Sequence, residues 1–213
     1  MTPELHTAIE QVYAAFSDVS KPEIIEGCPC CLERKGVDVL LTKSLKAISP
    51  DELSNYAACA FTTVGNLADF LYLLPRILEI SAMHPEWWPN IELVAQKLKA
   101  GQFKIWSENH KRAVLHYFDA VFEAILNVEN AGWLIDSWIC AWGHLFEDVS
   151  PYLARLEGYP TQVISYFEIN SESLLKGRLS NSFWEDDLHA YAQVQNWFNS
   201  PEIKNIIKMG YGL

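Results

Sequence analysis

Basic residues are scarce in this chain. Across 213 residues, 16 Lys and Arg stand against 27 Asp and Glu, a net charge of −11. A surface of that sign is repelled by phosphate backbones, so nucleic acid is disfavoured as a direct partner. A basic protein, a cation or plain solvation remains. Long apolar runs are missing too. The most apolar window, 131–146, is shorter than a bilayer span and is interrupted by Asp136 and His144, so it reads as a buried helix and no membrane association is expected. Met1 to Glu10 carries Glu4 and Glu10 and has no continuous apolar stretch, which gives no secretory signal. The five cysteines are odd in number, and Cys30 adjoins Cys31. That argues against a disulfide framework and for a reducing cytoplasm. There is no Gly-rich phosphate loop, H-E-x-x-H, G-x-S-x-G or kinase-like set, which removes support from the commoner enzyme classes.

Signals for a sheet are also lacking. No segment shows sustained apolar/polar alternation bounded by Asn-Gly or Asp-Gly, and only 37–41 is a plausible strand, equally readable as a short helix. Helical spacing is abundant. Leu53, Tyr56, Ala57, Ala60, Phe61 and Val64 fall on one helix face, as do Leu67, Phe70, Leu71, Leu74, Ile77 and Leu78. Val114, Leu115, Phe118, Val121, Phe122, Ile125 and Leu126 repeat the pattern, with Lys111, Arg112, Asp119 and Glu123 between them as an outward face. Ser49-Pro50-Asp51-Glu52 is a capping box with Pro at the first helical position. Ser150-Pro151 and Ser200-Pro201 repeat the Ser-Pro opening, and Gly65 and Gly101 stand where left-handed C-terminal caps would sit. Half of the residues are apolar and 8 are Trp, enough for a packed core. With no low-complexity linker or charge block, the expectation is all-α: a single domain, 1–213, of eight to ten antiparallel helices, arranged as an irregular bundle or as HEAT-like stacked pairs.

Four features are candidates for chemistry or recognition. Gly27-Cys28-Pro29-Cys30-Cys31 places three thiols in four residues. Cys28 and Cys31 form a C-x-x-C with proline, the spacing of thiol-disulfide enzymes, but without the βαβ unit that normally carries it. Cys28, Cys30 and Cys31 are also candidate zinc ligands, to be completed by Cys59, Cys140, His84, His110, His116 or His144, because no second spaced pair exists. A tight turn of small buried thiols is the plainer reading. Asp69, Tyr72, Arg76 and Glu79 form one helical stripe around Pro75, where a kink or break is expected. It is a candidate partner-binding surface, against the plainer reading of a solvated ion-pair face. Asp136, Cys140 and His144 follow at i, i+4, i+8, a thiol–base spacing or, more simply, a buried polar seam. In His84-Pro85-Glu86-Trp87-Trp88-Pro89, Trp87 and Trp88 are candidate partner-binding anchors, one expected to be buried and one partly exposed.

Several of these segments together resemble a family of uncharacterised bacterial proteins with a Cys-rich turn and an LPRILE-like helix. The resemblance covers residues 24–126. It rests on Cys28-Pro29-Cys30-Cys31, Leu53-Ser54-Asn55-Tyr56-Ala57, Thr62-Thr63-Val64-Gly65, Asp69-Phe70, Leu74-Pro75-Arg76-Ile77-Leu78-Glu79, and Lys97-Leu98 before Trp106. Val64 stands where the pattern has Trp. The resemblance implies a bacterial source and a cytoplasmic setting, and assigns no catalytic residue. The sequence therefore points to a helical protein that binds another protein. The alternative is a metal- or thiol-dependent protein built on the Cys28–Cys31 turn.

Overall fold

The computed structural model describes residues 1–28, 34–146, 148–186 and 188–212. The described residues are all-α, with eleven α-helices, three short 3₁₀ turns and no strand. The helices are α1 (Pro3–Ala15), α2 (Arg34–Thr42), α3 (Pro50–Cys59), α4 (Leu67–Met83), α5 (Ile91–Ala100), α6 (Glu108–Leu126), α7 (Gly132–Leu145), α8 (Ser150–Leu156), α9 (Pro160–Leu174), α10 (Leu188–Asn199) and α11 (Pro201–Gly210). The ambiguous segment 37–41 lies within α2. No helix among the described residues is long and apolar enough to cross a membrane. The chain divides into two compact units, Met1–Val121 and Phe122–Leu213.

In the first unit, side-chain caps set where helices begin. Thr2 accepts the Leu5 N–H ahead of α1, and Asn90 accepts that of Leu93 ahead of α5. Ser49 and Glu52 close the expected capping box on α3, each bonding the other's backbone N–H. A cap of this kind contributes about 1 kcal/mol. A second box, Asn66 with Asp69, opens α4. The apolar faces then pack as their spacing requires: Leu5, Ala8, Ile9 and Val12 of α1, with α1 against α4, which buries Phe70, Leu73, Leu74, Ile77 and Leu78. The helix α4 runs unbroken through Pro75. Tyr117 of α6 ties back to it, its hydroxyl donating to the Leu78 carbonyl at 2.6 Å. The cap expected at Gly101 has another form. Gly101 has φ −73°, and the left-handed residue is Gln102, at φ 59°. A Cβ on Gly101 would press on the Lys97 carbonyl and the Phe61 ring, both at 3.2 Å.

The second unit is centred on α7 and α9, joined by α8, α10 and α11. The first turn of α7 approaches α9 so closely that a Cβ on Gly132 would overlap the Ser165 carbonyl. The Gly132 N–H instead donates to the Ser165 hydroxyl at 2.9 Å. Ser200 caps α11 as its sequence indicates. Ser150 does not cap α8: it is the first helical residue, and its own N–H is taken by Asp148 at 2.9 Å.

The Glu52 carboxylate accepts from Lys43 at 2.6 Å and from the Ser49 N–H at 2.9 Å. These bonds, the lysine's first, hold its pKa at about 2, below the ordinary 4.5. A depressed folded-state value gives stability that is present above the ordinary value and is lost as pH falls towards about 2. Glu52→Gln is therefore expected to lower the urea midpoint at pH 7 and to converge with wild type as pH falls towards about 2. A difference that stays constant to acid pH would contradict this role.

Candidate functional site

The Cys-rich turn enters from a short extended segment seated on the turn between α3 and α4. Gly27 pairs with Val64 in an isolated antiparallel bridge. The Cys28 N–H donates to the Thr63 carbonyl at 2.8 Å, and the Gly65 N–H to the Glu26 carbonyl at 2.7 Å. The seat holds its own shape. The Cys59 carbonyl accepts the N–H groups of Thr62 and Thr63 and the Thr62 hydroxyl, while Phe61 and Gly65 take left-handed backbone at φ 64° and 67°. Gly65 is the residue for that position, because it adopts positive φ without a Cβ penalty. A Cβ there would also come within 2.9 Å of the Tyr56 hydroxyl and 3.2 Å of Asp69 Oδ2.

Chemistry-bearing side chains gather around this seat. Cys28 and Cys59 are half-buried cysteines. Cys30 and Cys31, with Pro29, lie outside the described residues, so the structure places only Cys28 of the three candidate zinc ligands. Among the described residues no group of three or more His, Cys, Asp or Glu side chains is positioned to hold a metal ion. Asp69 is 2% exposed, and its carboxylate accepts the Asn66 N–H at 2.9 Å. Burial pushes its pKa up, the Asn66 bond opposes this, and Glu26 adds to the upward push. Tyr56 is fully buried, and its hydroxyl has no hydrogen-bond partner among the described residues. Burial first, then the Asp69 charge, raises its pKa. Leaving such a hydroxyl unsatisfied costs about 1–3 kcal/mol. Lys97 of α5 is also buried; desolvation lowers its pKa and the neighbouring Cys59 opposes that shift. Sequence reading missed Tyr56 and Lys97 as members of this group. The signal for Lys97 was its place three residues after Val94 and next to Leu98, on the apolar face of α5.

The stripe along α4 divides. Asp69 belongs to the seat just described. Arg76 and Glu79 form a tether further along: Arg76 Nε donates to the Ile48 carbonyl at 2.8 Å and Nη1 to Glu79 at 2.6 Å. The Tyr13 hydroxyl of α1 donates to the same Glu79 oxygen at 2.5 Å. Burial, then Glu79, raises the Tyr13 pKa. These two charges thus join α1, α4 and the 45–48 segment. In the aromatic loop, Trp87 is buried and its indole N–H donates to the Pro50 carbonyl at 2.9 Å. Trp88 is 57% exposed, with Met83 exposed at the end of α4. That is the division expected of the pair.

In the second unit, Asp136, Cys140 and His144 lie in a buried seam. The Trp184 indole donates to Asp136 at 2.9 Å, and Cys140 Sγ lies 3.9 Å from His144 Nε2. Tyr166 completes the group; burial raises its pKa, as does the neighbouring Asp136. Each of these side chains is 5% exposed or less, so no substrate reaches the thiol in the folded state. No family model, no curated protein and no solved structure matches this chain.

Burial separates the thiols experimentally. Native protein treated with iodoacetamide at pH 7 is expected to label at Cys28 and Cys59 and to leave Cys140 unmodified until urea is added. Mass mapping of the alkylated peptides reads this directly, and native labelling of Cys140 would show that the seam opens.

Proposed function

We propose that this chain is a cytoplasmic, bacterial, helical protein-interaction module that engages its partner through the apolar tip at Met83 and Trp88. The observation that carries the reading is the contrast between two adjacent tryptophans. Trp87 fixes the loop by its bond to Pro50, which leaves Trp88 as an exposed ring on an anchored base. A large aromatic held in this way loses little conformational entropy on binding, and Trp is enriched among residues that dominate interfaces. The net charge of −11 favours a partner with a basic surface around an apolar pocket. Asp69, Arg76 and Glu79, the other candidate contact residues, serve this reading by holding α4 and its neighbours in place.

The test is affinity capture from a bacterial lysate at low and moderate salt, comparing wild type with Trp88→Ala, whose exposed position leaves the fold intact. A stoichiometric partner retained by wild type and weakened about tenfold or more by the substitution is expected of an aromatic anchor. Recovery of no such partner, or equal recovery by both proteins, would overturn the reading.

A second reading has its own support: the backbone of Cys28 is bonded to the turn that carries Cys59, beside the buried amine of Lys97. On this reading the chain is thiol- or zinc-dependent, with Cys28, Cys30 and Cys31 as zinc ligands and Cys59 as a fourth. Bound zinc would shield Cys28 from the iodoacetamide labelling above until a chelator is added, and full labelling without chelator removes the zinc form.

A further inference from the structure

A groove of about 640 Å³ lies between α1 and α6, lined by Gln11, Ala14, Ala15, Asn109, Arg112, Ala113 and His116. Its origin is plain in the spacing. Gln11, Ala14 and Ala15 stand at i, i+3, i+4 on α1, and Asn109, Arg112, Ala113 and His116 at i, i+3, i+4, i+7 on α6, so each set shares one helix face. The three alanines are too short to fill the space between the faces. The polar residues stand around them, and one bond crosses the groove: His116 Nδ1 lies 2.8 Å from Gln11 Oε1. A carbonyl oxygen only accepts, so in this bond Nδ1 is the donor.

Arg112 is the unusual member. In a chain with eleven more acidic than basic side chains, its guanidinium makes no hydrogen bond or ion pair with a described residue. Carboxylates on and beside these two helices are engaged elsewhere: Glu108 pairs with Lys111 at 2.5 Å, Asp18 with His110 at 3.2 Å and Glu10 with Lys46 at 2.6 Å. We propose that this groove binds a small monocarboxylate with an apolar body, the carboxylate on Arg112 and the body over Ala14, Ala15 and Ala113. A guanidinium presents a planar fork that matches one carboxylate in two parallel bonds. A single cation in a chain of net charge −11 favours a monoanion over a phosphate dianion. Asn109 and His116 supply the polar rim, as is usual in a pocket of this size with a mostly apolar floor.

Hexanoate and phenylacetate are the probes, with hexanamide and inorganic phosphate as controls, each titrated into ¹⁵N-labelled full-length protein and followed by amide shifts. Hexanoate or phenylacetate is expected to bind saturably, moving amides at 11–15 and 109–116, with hexanamide and phosphate silent. Arg112→Gln, at an exposed position, is expected to weaken binding about tenfold or more through loss of a charge-assisted bond pair. Arg112→Lys is expected to recover only part of it, because the fork is lost. Four results would each overturn the proposal: no saturable shift with either carboxylate up to about 10 mM, the weak end for so small a ligand; shifts confined to other segments; equal binding of hexanamide; or unchanged affinity in Arg112→Gln.

Discussion

Two backbone bonds, from the Cys28 N–H to the Thr63 carbonyl and from the Gly65 N–H to the Glu26 carbonyl, hold together two structures in the first unit that have no covalent reason to meet. The Asp69 carboxylate, beside Gly65, closes the capping box of α4 by accepting the Asn66 N–H. Glu26 leads into Gly27 and Cys28, so the start of the Cys-rich turn and the start of α4 are fixed by the same few bonds. Asp69 caps α4 from a buried position, where a charge is expensive. The upward shift of its pKa records that expense, and the Asn66 bond offsets part of it. The unpartnered Tyr56 hydroxyl beside it is a second cost at the same point. Two unfavourable terms concentrated in one corner, next to two half-buried thiols and a desolvated lysine, distinguish this region from ordinary helical packing.

Elsewhere polar groups are buried on more favourable terms. Arg76, Glu79 and Tyr13 satisfy one another and the Ile48 carbonyl, so their charges fix the positions of α1 and α4 and are not left available as a binding face. The seam in the second unit is similar: the Asp136 carboxylate accepts from the Trp184 indole, and Cys140 lies against His144. The proposed contact residues sit where anchoring is one-sided, as at Trp88 beside Trp87, or incomplete, as at Arg112.

The fold was legible in the sequence wherever local rules decide it. The 3.6-residue spacing of α4 and α6 and the Ser49–Glu52 box are properties of a few neighbouring residues and survive folding, whereas the face read from Leu53 to Val64 stops with α3 at Cys59, and Ala60, Phe61 and Val64 fall in the turn that follows. What was not legible depended on distant residues. Spacing alone puts Asp69 in line with Tyr72, Arg76 and Glu79 on an open stripe. It is buried at the first turn of α4, beside Gly65 of the turn that links α3 to α4. Its N3 position after Asn66 was the available signal. Tyr13 reaches Glu79 from 66 residues away, which no helical periodicity reports. Asp148 in place of Ser150 ahead of α8 is a shift of two residues, since both types accept a backbone N–H. The groove between α1 and α6 depends on three alanines facing one another, and alanine carries no sequence signal of which side it faces.

The dependence of the Cys-rich turn on its seat is tested most directly by amide hydrogen exchange on Gly65→Ala. Alanine at that positive φ is strained, and its Cβ would press on Tyr56 and Asp69. The account predicts that exchange at the Cys28 and residue 65 amides accelerates together, while buried amides of the second unit such as Ile139 keep their wild-type rates. Unchanged protection at Cys28 in this variant would contradict the claim that the turn around Gly65 holds the Cys-rich segment in place.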